Sequence, residues 1–287
     1  MKRLLFNGCS FVAGDEIAWD QYCLEKKGRL INWRAFWADP ELKNQPVELG
    51  NFMTYYRFEY RRLYNLPMAT ALHLGLERID ISEDGNSNDN IALSTIAYLI
   101  NKPIEERKQY HVCIGWTTTP RFLKFLKEVP NINFNSFNNV HINHVGTKHG
   151  QHEFDVIQKY IDITFQTLTD EDLWLNYVKN IVLLENFLIS NGITYTFFKS
   201  LGGAGEARIV GPFQPFDFVI PEDRLTNHAN WLDFGGPNSP YANESWTSTI
   251  QDSKECWISK DNLHPNLHAI SNFSIKLATF IKTQGVL

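Results

Sequence analysis

Short apolar runs alternate with amphipathic stretches along this chain. Leu4-Leu5-Phe6 closes on Asn7-Gly8, which predicts a buried parallel strand ending in a turn. Pro67 suits the first turn of a helix over 68–75. Ile79 and Ile81 alternate with polar residues as in a strand, and Glu83-Asp84-Gly85-Asn86 reads as a turn. Asn88 is placed to cap a helix over about 89–100, whose apolar face is Ile91, Ala92, Thr95, Ile96, Leu99 and Ile100. His111-Val112-Cys113-Ile114 is another short buried strand, ended by Gly115. Thr169 opens a strong helix with three acidic residues in its first turn, running through Leu173, Tyr177, Ile181, Leu184 and Leu188 to a stop at Gly192. Ile193 to Phe198 reads as the next strand. A last helix over about 266–283 carries the stripe Ile270, Phe273, Leu277, Phe280 and Ile281.

Strand and helix thus alternate, which predicts an α/β domain with a parallel sheet covered on both faces. The whole chain, 1–287, reads as one domain with insertions at about 17–66, 125–168 and 200–258. The first insertion mixes Trp19, Trp33, Trp37, Tyr55 and Tyr56 with charges and suggests short helices. Residues 130–155 are rich in Asn and His and read as a long loop. Residues 200–258 hold many of the Gly and Pro residues and read as irregular.

Composition narrows the function classes. With 43% hydrophobic and 21% charged residues the chain is an ordinary globular one. A formal net charge of -5 argues against a nucleic-acid binder that works by neutralising phosphates. No run of eighteen apolar residues predicts a membrane span. The apolar run after Lys2-Arg3 is too short for a signal peptide, so a cytoplasmic location is expected, or a virion if a phage encodes the chain. Cys9, Cys23, Cys113 and Cys256 form no CxxC pair and read as thiols in a reducing compartment. The 14% aromatic share fits a core, a carbohydrate-binding surface or an interface.

In open parallel sheets, sites form at the carboxyl ends of strands. Three segments sit there: Gly8-Cys9-Ser10-Phe11, Gly85-Asn86-Ser87-Asn88 and Gly115-Trp116-Thr117-Thr118. A fourth, Asp261-Asn262-Leu263-His264-Pro265, precedes the last helix. Ser10 is placed as a nucleophile, His264 as its base and Asp261 as the acid that orients the imidazole. Taken singly, each has a plainer reading: a turn or cap serine, a surface histidine, a helix-start aspartate. Their combination and order carry the argument. His141, His144, His149 and His152 offer a rival constellation at metal-like spacing, but without cysteines and in a loop-like segment. No metal or cofactor is expected.

These blocks resemble the SGNH/GDSL hydrolases, most closely a divergent phage and bacterial branch that begins Gly-Cys-Ser-Phe-x-x-Gly-Asp-Glu. Here that block reads Gly8 to Glu16. The resemblance implies a three-layer α/β/α sandwich around a flavodoxin-like sheet of about five strands. It places the nucleophile on Ser10, the acid on Asp261 and the base on His264. It sets the oxyanion hole on the N–H groups of Ser10 and Gly85. The family has an Asn side-chain donor where this chain has Thr117, so Thr117 or Asn88 is the candidate substitute. Trp116 and Arg121 are expected to border the pocket, with Trp246 and Trp257 available to stack on sugars; core packing is the plainer role for these tryptophans. The implied activity is hydrolysis of a small acyl ester, such as an O-acetyl group on a carbohydrate. The alternative is a catalytically weak scaffold that serves a phage particle or binds glycans. Expected partners are the ester substrate and, in the assembly readings, a phage particle or a second copy of the chain.

Overall fold

The N-terminal apolar run forms strand β1, Arg3–Gly8, in which Leu4, Leu5 and Phe6 are fully buried. The computed structural model describes residues 2–28, 56–117, 121–124, 132–135, 139–142, 170–200, 227–232, 257–259 and 262–286. After β1 come α1 (Ser10–Ala13), α2 (Asp15–Lys27), α3 (Arg57–Tyr64), α4 (Leu66–Leu74) and β2 (Glu77–Asp80). Then follow α5 (Asn88–Ile100), α6 (Ile104–Arg107), β3 (Tyr110–Trp116), β4 (Arg121–Lys124), β5 (Ile132–Asn135) and β6 (Asn139–Ile142). The chain continues with α7 (Asp170–Ser190), β7 (Thr194–Lys199), β8 (Trp257–Ser259), β9 (Asn262–Pro265) and α8 (Leu267–Thr283).

The fold is mixed α/β around a four-stranded parallel sheet in the order β2-β1-β3-β7. From β1 the chain adds β2 on one side and then β3 on the other, so the strand order reverses at β1. That reversal opens a crevice at the carboxyl ends of β1 and β3, where ligands bind in sheets of this kind. Beyond β7 an isolated parallel bridge joins Phe197 to Trp231.

Successive strand residues point to opposite faces, and the core divides accordingly. Leu4, Phe6, Cys113 and Phe198 join one cluster with Leu66 and Ala71 of α4 and Ile270, Phe273 and Leu277 of α8. Leu5, Val112, Ile114 and Phe197 join another with Ile91 and Leu99 of α5 and Ile181, Leu184 and Leu188 of α7. A third cluster joins Trp19, Tyr22 and Cys23 of α2 to Tyr60 of α3. Some of the aromatic richness therefore serves the packing of the first insertion, where Tyr60 meets Tyr22 edge-on.

Several expectations need correction. Ser87, not Asn88, caps α5: its hydroxyl accepts from the Asn90 N–H, while Asn88 is the first helical residue. The 130–155 stretch is not simply a loop, because β5 and β6 pair antiparallel with each other and β5 with β4. Ile132 and Phe134 alternate with asparagines there, a period of two that the polar composition obscured. His264 stands on a strand, β9, which pairs antiparallel with β8. Among the described residues, no helix is long and apolar enough to cross a membrane. Cys9, Cys23 and Cys113 are buried thiols.

Candidate active site

Ser10 begins the four-residue helix α1, immediately beyond the end of β1. Two glycines let α1 lie close against the sheet. Gly8 of β1 is the register partner of Gly115 of β3, and the side chain of Val12 lies over both. A Cβ on either glycine would stand 2.4 Å from Val12 Cγ2. Gly14, at φ 73°, ends α1 and begins α2; its N–H returns to the Ser10 carbonyl at 2.8 Å. This left-handed residue turns the chain so that α2 starts beside the Ser10 turn, a conformation glycine adopts at little cost.

His264 arrives from the other end of the chain. Asn266 caps α8 through its side chain, and α8 is docked on the same core cluster that holds Phe11 and Val12. His264 on β9 is thereby fixed two residues before an anchored helix. Its Nε2 lies 3.1 Å from Ser10 Oγ, and its ring stacks on Phe11 with centroids 4.3 Å apart. Ser10 is 5% exposed.

The other face of the imidazole meets a carboxylate from α2. Glu16 Oε2 contacts His264 Nδ1. Oε2 is buried, and its contact with the imidazole is not aligned as a hydrogen bond in this substrate-free arrangement. Catalytic hydrogen bonds are often poorly aligned before substrate binds. A carboxylate at Nδ1 favours the tautomer with its proton there, which leaves Nε2 to accept from the serine hydroxyl. Hydroxyl, imidazole and carboxylate in this order form a proton relay capable of making a serine nucleophilic.

Around this relay the strand ends are tied together by buried polar groups. Asn7 Nδ2 donates to the Ile91 carbonyl at 3.1 Å and the Thr95 hydroxyl at 2.9 Å, anchoring β1 to α5. Asn86 Nδ2 donates to the Gly8 carbonyl at 3.1 Å. Gly85 lies in this turn at φ 67°. Among the described residues no hydrogen bond engages the backbone N–H of Ser10 or of Gly85. Beyond β7, Ser200 Oγ lies 3.4 Å from Cys9 Sγ and donates to the Trp116 carbonyl at 2.9 Å.

The remaining expected site residues fall differently. Asn88 is fully buried and brackets the Thr117 peptide, so its amide is committed to the loop after β3. Thr117 is fully buried as well, with its hydroxyl unpartnered among the described residues. Trp116 is fully buried, edge-on to Phe197 and Tyr177, because the last position of β3 points into the core against α7. Asp261 and Trp246 lie outside the described residues, and the side chains of Arg121 and Trp257 are likewise outside them. Of the four clustered histidines only His141, on β6, falls in a described segment. Among the described residues no group of His, Cys, Asp and Glu is arranged to hold a metal.

Glu16 escaped the sequence reading although it closes the very block that located Ser10. Its signal was its place just past the Gly14 turn, where a left-handed glycine sends the next helix back beside Ser10. No family model, curated protein or solved structure matches the chain.

Proposed function

We propose that the protein is a serine ester hydrolase of the SGNH type. The observation that carries this reading is the 3.1 Å approach of Ser10 Oγ to His264 Nε2, at the crevice where the strand order reverses. Ser10 Oγ attacks the acyl carbonyl while His264 takes its proton. The N–H groups of Ser10 and Gly85 hold the oxyanion, a contribution of about 3–4 kcal/mol per donor in such sites. His264 then returns the proton to the leaving alcohol, and water, activated by the same imidazole, releases the acid.

Three features support membership of that superfamily. The strand order matches the first four strands of a flavodoxin-like sheet. The two core clusters fit a three-layer α/β/α sandwich. The bridge at Trp231 lies where a fifth strand would continue the order. The near-complete burial of Ser10 favours a small acyl group, such as an acetyl ester on a carbohydrate. A fluorophosphonate probe tests the nucleophile directly. Labelling of a tryptic peptide at Ser10, absent in His264→Ala, is expected; labelling elsewhere or none at all contradicts the assignment.

A further inference from the structure

We infer that Glu16 is the carboxylate that positions His264, which makes the relay Ser10–His264–Glu16. This rests on the reading of Ser10 as nucleophile. The resemblance assigns the acid to Asp261, three residues before the base. The geometry assigns it to a residue from the opposite end of the chain. Nucleophile and acid then share one short segment, six apart in number, and only the base comes from the C-terminal block.

Four observations bear on this. Glu16 Oε2 meets Nδ1, the ring atom opposite the one that faces Ser10. That oxygen is buried and has no other hydrogen-bond partner among the described residues, so its desolvation is compensated only by the imidazole. The backbone carrying it is fixed by Gly14, where a side chain would be strained: at φ 73° a Cβ would also stand 3.0 Å from Asn65 Cβ. The ring itself is held from the side by Phe11, so a carboxylate at Nδ1 acts on an imidazole with little freedom to turn.

Asp20 lies one helical turn beyond Glu16, close enough for the two carboxylates to interact. Burial first, and the Glu16 carboxylate second, push Asp20 up to about 7. Glu16 is the member of the pair that faces the imidazole.

The proposal makes Glu16 a positioning residue, so its test reads tautomer and turnover separately. Proton NMR of the full-length protein should show a far-downfield imidazole N–H resonance that disappears in His264→Gln and in Glu16→Gln, and survives in Asp261→Asn. Persistence of the resonance in Glu16→Gln, or its loss in Asp261→Asn, would overturn the assignment. This arm needs no turnover, so it stands even if the esterase reading fails. With p-nitrophenyl acetate, Glu16→Gln should lower kcat on the order of 10,000-fold, as carboxylate loss does in comparable relays, with KM within about twofold. Glu16→Asp should recover at least about tenfold of that loss by restoring the charge. Wild-type kcat in Glu16→Gln, or equal losses in the Gln and Asp variants, would also overturn it.

Discussion

The side chain of Asn88 holds the peptide of Thr117 from both sides: Oδ1 accepts from its N–H at 3.0 Å and Nδ2 donates to its carbonyl at 3.2 Å. One amide thus replaces the strand partner that Thr117 loses where β3 ends, and it joins the start of α5 to the loop after β3. Both groups are fully buried. Asn88→Ala leaves a buried N–H and a buried carbonyl unpaired, each costing about 1–3 kcal/mol. Urea denaturation should show a loss of at least about 2 kcal/mol with an unchanged m-value. A loss below about 0.5 kcal/mol would contradict the bracketing role.

Arg61 makes a comparable tie between the first insertion and the site. Its Nε donates to the Ala13 carbonyl at 3.2 Å and its Nη2 to the Ser82 carbonyl at 2.5 Å, with Asp80 Oδ2 3.9 Å away. Burial pushes the Asp80 carboxyl up, and the Arg61 charge opposes that. Arg61→Met therefore strands two carbonyls and takes a charge away from the buried Asp80 carboxyl, which keeps the Asn65 amide and the Ser82 N–H as donors, at a cost of about 3 kcal/mol. Arg61→Lys should not restore it, because a single ammonium cannot span the guanidinium's fork. Adding Asp80→Asn to Arg61→Met should recover part of the loss in thermal denaturation; strict additivity would argue against the pairing.

His111 predicts the acid limit of the fold. Its Nδ1 lies 3.1 Å from the Thr194 hydroxyl and its Nε2 3.0 Å from that of Thr196, so the ring joins β3 to β7 as a buried group. Burial, with help from the Lys2 charge, lowers its pKa from 6.5 to about 3. The unfolded chain therefore binds a proton between pH 6.5 and about 3 that the folded chain refuses. Stability from this group is complete above 6.5 and falls with pH across that window, with a slope approaching 1.4 kcal/mol per unit, roughly. His111→Gln should flatten the Tm–pH curve between pH 6 and 4, as an approximate working range, while lowering Tm at neutral pH. An unchanged slope would contradict the assignment.

The framework was legible because its signals are local. The apolar runs at Leu4–Phe6 and His111–Ile114, the proline at position 67 and the stripe on α8 each announce an element without help from distant residues. Ser10 and His264 were legible for a similar reason, since each sits beside a strand or helix end that the pattern marks. What could not be read was which side chain meets which across the chain. Glu16 looks like an ordinary acid in a helical first turn until Gly14 turns it toward a histidine 248 positions away by number. Trp116 looks like a pocket aromatic by position, but the parity of β3 sends it into the core. Asn88 and Ser87 are both good caps in sequence; the cap fell to Ser87, and Asn88 was taken by Thr117.

The central claim is that Ser10 attacks an ester with His264 as its base. Turnover of p-nitrophenyl acetate by wild type and Ser10→Ala tests it most directly, with circular dichroism confirming that both are folded. The account predicts a fall of at least about 1,000-fold in Ser10→Ala. Equal rates in the two proteins would contradict it.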